Sequence, residues 1–207
     1  MMIFGIAGAS GTGKTTLGRM VGDALDIPFQ PTSITNMAAK AGFDPVSKIS
    51  LNDRLILQES MLDQMETLLA SFKTPVILDR TPLDLVGYMM AEIYMHSESE
   101  LTADEMRRID AYVSRCQDVT VKYCSHIFVT GLLPEYELVE TRPGWNPAYQ
   151  RHVHLLIVGA LMTSKGDLSY SMFNSDSLTG RTNYMIQAIQ NKLVSAQQEK
   201  IESRYLH

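Results

Sequence analysis

The sequence predicts an α/β fold in which a doubly wound, mostly parallel sheet carries helices on both faces. Short apolar segments alternate along the chain with longer segments whose apolar residues recur at helical spacing, which is typical of strand–helix–strand units. No internal repeat or low-complexity tract interrupts this alternation, and no linker is long enough to separate two domains. We therefore expect a single domain over residues 1–207, a length that suits one α/β core.

The first motif is a glycine-rich run, GASGTGKT, from Gly8 to Thr15. Residues 3–7 before it are apolar, like a short buried strand, and apolar residues recur at helical spacing from Thr15 to Leu25. Because glycine weakens strands and helices, four glycines between residues 5 and 13 need a local reason. The spacing of the run is that of a phosphate-binding P-loop. An ordinary glycine-rich turn is the alternative.

In a P-loop, successive backbone amides and the N-terminus of the following helix surround a phosphate group. The pattern assigns Lys14 to the β- and γ-phosphates and the Thr15 hydroxyl to Mg²⁺, so the expected cofactors are ATP and Mg²⁺. The residues expected to bind the nucleotide here are Gly8, Ala9, Ser10, Gly11, Thr12, Gly13, Lys14, Thr15 and Thr16.

The middle of the chain alternates short strands with helices. A short strand is expected among the prolines of residues 28–32, and a helical turn over residues 35–41. Leucine and methionine recur every three or four residues in residues 52–71, which predicts a long helix. The apolar segment 74–78 then predicts a buried strand, and a helix is expected over residues 82–94.

Capping signals define the later helices. Thr102 and Glu105 form a capping box at the start of one helix. Asn146 and Pro147 begin another, which runs to about residue 165 and is ended by Gly166. The remaining expected elements are strands over residues 126–130 and 168–173 and a C-terminal helix from about residue 182, whose polar tail frays after residue 197.

A carboxylate and a guanidinium, Asp79 and Arg80, follow directly after the buried strand at residues 74–78. In open α/β sheets ligands bind at the carboxyl ends of the strands, which is also the edge where a P-loop lies. Asp79 could therefore orient Mg²⁺ through water, or accept the proton from an attacking hydroxyl. The alternative is an Asp that caps the next helix.

The order of these motifs resembles the P-loop kinases of small metabolites, and most closely the thymidylate, deoxynucleoside and nicotinamide riboside kinases. The resemblance rests on the P-loop, on Asp79-Arg80-Thr81 after an apolar strand, and on a later arginine-bearing segment before a helix. It implies the P-loop NTPase fold with a lid, and a nucleoside or nucleotide as acceptor. It also implies that Lys14, Asp79 and Arg80 are catalytic, with Asp79 aiding the acceptor hydroxyl and Arg80 contacting substrate or phosphate.

The segment from about residue 131 to residue 151 has the position of the lid in the resembled kinases. Phosphoryl transfer needs a cation to neutralise charge and a cover to exclude water. Arg142 and Arg151 are the available cations, and we expect Arg142 to be catalytic and Arg151 to bind substrate. Gly144 supplies a flexible point, and Trp145 could pack over a base. Solvated arginines on a surface loop are the alternative.

Three further residues are candidates for binding. Arg54 and Gln58 are four apart on a predicted helix and so share a face, where they could contact the acceptor. Arg181 precedes the C-terminal helix, where the resembled kinases often place an adenine-contacting loop, so it joins the nucleotide-binding candidates. Solvated surface is the alternative for all three.

The composition favours a globular, cytoplasmic protein. Of the residues, 45% are hydrophobic and 20% are charged, and the net charge is −5. This net negative charge gives no overall positive potential that would attract DNA, although a local basic groove is not excluded. Cys116 and Cys124 lack metal-ligand spacing, so we expect buried, reduced thiols. The longest apolar run, residues 153–162, is too short to span a membrane.

The sequence thus predicts an ATP-dependent phosphotransferase that acts on a nucleoside or nucleotide, most simply a deoxynucleoside monophosphate. Small P-loop kinases also occur in bacteriophages, and some phosphorylate a hydroxymethylated pyrimidine base within DNA, which is one alternative. Such a member would lie in the host cytoplasm. The other alternative is a P-loop ATPase or switch protein with no small acceptor. The oligomeric state stays open, a dimer among the options.

Overall fold

The computed structural model describes residues 1–44, 49–96, 101–133, 146–173 and 175–205. Within these residues five strands form one parallel sheet. The strands are β1 (Ile3–Ala7), β2 (Phe29–Gln30), β3 (Val76–Asp79), β4 (His126–Val129) and β5 (Tyr170–Met172). Their order across the sheet is β2-β3-β1-β4-β5, so the glycine-rich run leaves the central strand. The predicted α/β class with a parallel sheet is confirmed.

Helices connect the strands and agree with the sequence prediction to within a few residues. The helices of the described residues are α1 (Lys14–Leu25), α2 (Ile34–Lys40), α3 (Leu51–Ser71), α4 (Pro82–His96), α5 (Ala103–Tyr123), α6 (Pro147–Met162) and α7 (Leu178–Tyr205). The capping box at Thr102 and Glu105 is present, and the Asn146 side chain accepts from the amide of Ala148 at 2.9 Å. Both predicted helix starts are therefore confirmed.

The boundaries of α7 differ from the prediction. The helix begins at Leu178, four residues before the predicted start, and it continues as a helix to Tyr205. The Ser177 hydroxyl accepts from the amide of Gly180 at 3.0 Å, so this serine satisfies an amide of the first turn. Gly180 consequently lies inside the helix, although in the sequence it resembles the end of a loop.

Helices pack on both faces of the sheet. On one face Phe4, Ile6 and Phe128 pack with Leu17 of α1 and Met185 of α7. On the other face Ile3, Val76, Leu78, Ile127 and Val129 join a larger core with residues of α3 to α6. Because successive strand residues point to opposite faces, the almost uniformly apolar strands are explained by burial on both sides.

One close helix contact brings α6 towards the glycine-rich run. A Cβ on Gly87 of α4 would lie 2.4 Å from Ile157 Cγ1 and 3.2 Å from the Val153 carbonyl oxygen, so only glycine allows the two helices to pack this closely. The middle of α6 therefore packs against the N-terminal half of α4.

Two further expectations concern the cysteines and the membrane. Cys116 and Cys124 are buried free thiols, as predicted, and burial raises the pKa of each to about 12. Among the described helices, none is long and apolar enough to cross a bilayer.

Candidate active site

The glycine-rich run forms a loop between the end of β1 at Ala7 and the start of α1 at Lys14. Gly8, Gly11 and Gly13 have φ angles of 150°, 79° and 79°, a region that residues with a side chain rarely adopt. A Cβ on Gly8 would also lie 2.2 Å from Thr130 Oγ1. The glycines are therefore required by the backbone path, as the P-loop pattern predicts.

The loop is braced from inside by two buried threonines. Thr12 Oγ1 donates to the Ala9 carbonyl at 2.9 Å and lies 2.7 Å from Thr130 Oγ1, just after β4. Gly13 caps α1 with its backbone, and no side chain among the described residues bonds to the cap. The first amides of α1 therefore have the arrangement that binds phosphate at a helix N-terminus.

Lys14 lies inside the loop and is only 5% exposed. Its Nζ donates to the carbonyls of Gly8 at 2.5 Å and Ala9 at 2.7 Å. Burial, and then the nearby Arg80, lower the pKa of Lys14 to about 8, while Asp84 and Asp79 oppose the shift. An incoming phosphate would supply a stronger partner for this ammonium than the two carbonyls do.

Asp79 ends β3 at the same edge of the sheet as the loop, opposite Ile6 of β1. Its Oδ2 accepts a hydrogen bond of 2.5 Å from Thr15 Oγ1, in the first turn of α1. Its Oδ1 is buried and has no hydrogen-bond partner among the described residues. The alternative role as a helix cap does not apply, because the amide of Thr81 is bonded to Asp84 instead.

These oxygens suit a magnesium ion. Mg²⁺ prefers hard oxygen ligands and is often bound by one carboxylate together with substrate phosphates. Thr15 Oγ1 and Asp79 provide a hydroxyl and a carboxylate in contact with each other, with one carboxylate oxygen unpartnered. Thr16, the last residue assigned to the nucleotide, lies on the exposed side of α1.

Arg80 occupies the turn between β3 and α4 in a strained conformation. Its φ is 72°, which is uncommon for a residue with a side chain, and its amide donates to the Ile6 carbonyl at 3.1 Å. Its guanidinium carbon lies 5.6 Å from the centre of the Tyr88 ring. Such strain is characteristic of functional sites, where the surrounding structure enforces it.

Asp84 is a site residue that the sequence analysis missed. It is fully buried, and its Oδ1 accepts from the amide of Gly8 at 3.0 Å. Its Oδ2 accepts from the amide and the hydroxyl of Thr81, at 2.7 and 3.0 Å. Burial raises the pKa of Asp84, while Lys14 and Arg80 oppose the shift. An Asp inside the apolar segment PLDLVGYMM was the signal that could have identified it.

Two other contacts to the loop were also missed. The amide of Ser10 donates to the Tyr88 hydroxyl at 2.9 Å, and Gln150 Nε2 of α6 donates to the Ser10 carbonyl at 2.6 Å. Gln150 is buried, but in the sequence nothing separates it from an ordinary helix residue. Both contacts depend on how α4 and α6 pack, which no local pattern encodes.

Arg54 and Gln58 share a face of α3, as predicted, and both are buried. Arg54 Nη1 lies 2.9 Å from Glu92 Oε2 of α4, and Gln58 Oε1 accepts from the Tyr112 hydroxyl at 2.9 Å. Burial raises the pKa of Glu92, although Arg54 opposes the shift. Since both residues lie between helices, the solvated-surface alternative is wrong for them.

The remaining predicted arginines differ in their surroundings. Arg181 is 4% exposed and its Nη1 donates to the Thr12 carbonyl at 3.0 Å, so it contacts the loop and is not solvated. It lies in the first turn of α7, whereas the prediction placed it before the helix. Arg151 is exposed on α6. Arg142, with Gly144 and Trp145, lies outside the described residues, as do residues 134–145 of the predicted lid.

A family model described as an AAA domain, AAA_28, matches residues 4–124, which is more than half of the chain. No curated protein sequence matches the chain.

Solved structures share the fold at low sequence identity. A deoxyadenosine kinase from M. mycoides, with the products dCMP and a flexible dCDP bound, is 15% identical with a TM-score of 0.62, covering 94% of this chain and 100% of that one. Thymidylate kinase from Candida albicans is 14% identical with a TM-score of 0.60, covering 92% of each chain.

A third similar structure is the NadR protein in complex with NR. It is 15% identical with a TM-score of 0.63, covering 92% of this chain but only 49% of that one. At these identities the likeness concerns the fold. The P-loop NTPase fold that the sequence predicts is thereby confirmed, as is its resemblance to nucleoside and nucleotide kinases at the level of the fold.

Proposed function

The chain belongs to the AAA domain family, and from its P-loop and the carboxylate beside it we propose that it is an ATP-dependent kinase of a nucleoside or nucleotide. The observation that carries this proposal is the contact between Thr15 Oγ1 and Asp79 Oδ2, which leaves Asp79 Oδ1 buried without a partner. A P-loop alone would serve any nucleotide-binding protein. A second carboxylate oxygen beside the phosphate site gives an acceptor hydroxyl a base.

In this proposal the loop amides and Lys14 bind the phosphates of ATP. Thr15 and Asp79 would hold Mg²⁺, which supplies positive charge that neutralises the phosphate oxygens. Asp79 Oδ1 takes the proton from the acceptor hydroxyl while the acceptor oxygen bonds to the γ-phosphorus and the bond to ADP breaks. Arg80, and Arg142 of the predicted lid, act as cations on the transferring group.

We place the acceptor between α3, α4 and α6. Arg54 and Gln58 of α3 are buried there, Glu92 of α4 is partly buried, and the three provide donors and acceptors. Such groups can hydrogen-bond the edge of a base or a sugar hydroxyl. A free deoxynucleoside monophosphate is the simplest acceptor, and Arg151 would contribute to its binding. The similar folds of the deoxyadenosine kinase and the thymidylate kinase support an acceptor of this class.

A screen with γ-labelled ATP tests the proposal. The protein is incubated with Mg²⁺ and single nucleosides, deoxynucleoside monophosphates or DNA that contains hydroxymethylated pyrimidines. Label transfer to a free nucleoside or nucleotide supports the proposal, and transfer to DNA alone would replace its acceptor by a base within DNA. Slow ATP hydrolysis that no acceptor stimulates would contradict a kinase and favour the ATPase alternative.

Two variants make the screen specific to the site. Asp79→Asn should lose transfer, because it removes the base and a metal ligand while it keeps the shape of the side chain. Asp167→Asn is the matched control, since Asp167 is exposed between α6 and β5. Equal transfer by both variants would refute the role of Asp79.

A further inference from the structure

Two side chains of α4 bond to alternate amides of the P-loop. Asp84 Oδ1 accepts from the amide of Gly8 at 3.0 Å, and the Tyr88 hydroxyl accepts from the amide of Ser10 at 2.9 Å. Residues four apart in a helix lie one above the other on the same face. Asp84 and Tyr88 therefore lie one turn apart on the same face of α4, which lets them reach the amides of Gly8 and Ser10.

These contacts matter because the glycines of the loop restrain its backbone little. Glycine populates many backbone conformations, so a loop that contains Gly8, Gly11 and Gly13 needs bonds from outside it, besides the internal bond of Thr12, to hold one shape. A buried amide without a partner is unfavourable, and the loop would move to satisfy it. The amides of Gly8 and Ser10 are already bonded, and only residues 11–13 separate them from the amides at the start of α1.

The same two side chains also bond to the turn after β3. Asp84 Oδ2 accepts from the amide and the hydroxyl of Thr81, while the Tyr88 ring lies 5.6 Å from the Arg80 guanidinium carbon. One helix face thus contacts the nucleotide loop and the residue that is expected to act on the transferring phosphate.

We propose that Asp84 and Tyr88 are positioning residues that hold the P-loop and Arg80 in one fixed arrangement. They contact the backbone of the loop and the turn that carries Arg80 and Thr81, and their contribution to nucleotide binding is made through these groups. The inference rests on the proposed function, since it concerns the same phosphate site. Its consequence is that ATP affinity depends on hydroxyl and carboxylate groups in α4.

The test measures the dissociation constant of ATP with Mg²⁺ by calorimetry, together with the melting temperature of each free protein. Tyr88→Phe keeps the ring near Arg80 and removes only the hydroxyl. We expect it to bind ATP about three- to tenfold more weakly, which corresponds to one lost hydrogen bond. Tyr170→Phe is the matched control, because Tyr170 is on the edge strand and its hydroxyl bonds to Met162 Sδ.

A graded series at Asp84 supplies the second measurement. Asp84→Ala removes both acceptors and should weaken ATP binding by roughly 10- to 100-fold. Asp84→Asn keeps one carbonyl oxygen and should restore part of this loss. If the Ala variant does not fold, the Asn and Tyr88→Phe variants still carry the test.

The outcomes separate this inference from the proposed function. If the unaltered protein does not bind ATP, the proposed function fails, and the inference fails with it. If it binds ATP and Tyr88→Phe binds equally well, only the inference is overturned. A melting temperature that falls with Tyr88→Phe while ATP affinity stays unchanged would assign these residues to stability alone.

Discussion

Thr15 Oγ1 donates a 2.5 Å hydrogen bond to Asp79 Oδ2 and so joins the first turn of α1 to the carboxyl end of β3. β1 and β3 are adjacent and parallel, with Ile6 opposite Asp79, so the loop after one strand and the acid that ends the other must lie at the same edge. An acid placed one residue earlier or later in β3 would instead direct its carboxylate to the other face of the sheet.

The first prediction concerns Asp79→Asn. The substitution keeps the size of the side chain and a hydrogen-bonding oxygen for Thr15 but removes the negative charge. Phosphoryl transfer should fall by roughly 10²- to 10⁴-fold, the range for a lost acid–base group, while ATP affinity changes little. Single-turnover rates and calorimetry on one preparation measure both quantities. A normal rate with a lower melting temperature would show that Asp79 serves stability only.

The second prediction concerns Lys14, whose ammonium is buried inside the loop. Lys14→Met should lower phosphoryl transfer by at least about 10²-fold, because the phosphates lose their point charge. The melting temperature should stay equal or rise, because burial lowers the pKa of Lys14 and a buried ammonium therefore costs folding free energy at neutral pH. Rapid turnover by the folded variant would refute the P-loop assignment.

Sequence patterns predicted those parts of the molecule that local physics determines. The alternation of apolar strands and amphipathic helices predicted the parallel sheet, and the glycines at positions 8, 11 and 13 predicted the loop because only glycine readily adopts its backbone angles. The helix start at Thr102 was predicted correctly for the same reason, because the bonds of its capping box join residues within one short segment. The start of α7 was misplaced because Gly180 suggests a loop in the sequence, whereas Ser177, which accepts from the amide of Gly180, in fact caps the helix.

The candidate site was predictable only where its residues lie in a motif. Lys14, Thr15 and Asp79 follow from the P-loop and the strand end. Asp84 and Gln150 reach the loop through the packing of α4 on α6, which requires Gly87 to approach Ile157. Residues 84 and 150 are separated from the loop by long stretches of sequence, so no pattern within one segment reveals the contact.

The third prediction concerns the lid arginine, Arg142. If it stabilises charge that develops during transfer, Arg142→Ala should reduce kcat more than it raises KM for ATP. Arg142→Lys should restore only part of the rate, because an ammonium lacks the planar fork of a guanidinium. Steady-state kinetics of the two variants measure this. Unaltered kinetics in both would leave Arg142 as a solvated surface residue.

The fourth prediction is a pH dependence that comes from His126. Its ring lies 2.8 Å from Ser169 Oγ and 2.9 Å from Ser171 Oγ, and burial, with Lys192 nearby, lowers its pKa to about 4. Between this value and the ordinary value of 6.5 the unfolded chain binds more protons than the folded one. Protonation in that range therefore favours unfolding.

Stability should accordingly fall as the pH is lowered from 6.5 towards 4, with a contribution from His126 of up to about 3 kcal/mol. Urea unfolding across this pH range measures the slope. The His126→Gln variant keeps hydrogen-bonding groups but does not titrate, so its stability should fall less steeply. Parallel curves for the two proteins would exclude His126 as the source.

The last prediction separates stability from acceptor recognition at the Arg54–Glu92 pair. Arg54 Nη1 lies 2.9 Å from Glu92 Oε2, and the two side chains are 7% and 18% exposed. Removal of one member leaves the other charge buried, which should destabilise Arg54→Met by about 2–4 kcal/mol. The double variant Arg54→Met, Glu92→Leu should recover most of this loss, because a buried ion pair can be replaced by apolar side chains at little cost.

The double variant then tests recognition in a stable protein. If the pair contacts the acceptor, the variant should raise KM for the acceptor by about tenfold or more, while the dissociation constant of ATP is unchanged. Arg115→Met, Asp63→Leu is the matched control, because this exposed ion pair between α5 and α3 lies on the helix surface. A double variant with normal KM for the acceptor would limit Arg54 and Glu92 to holding α3 against α4.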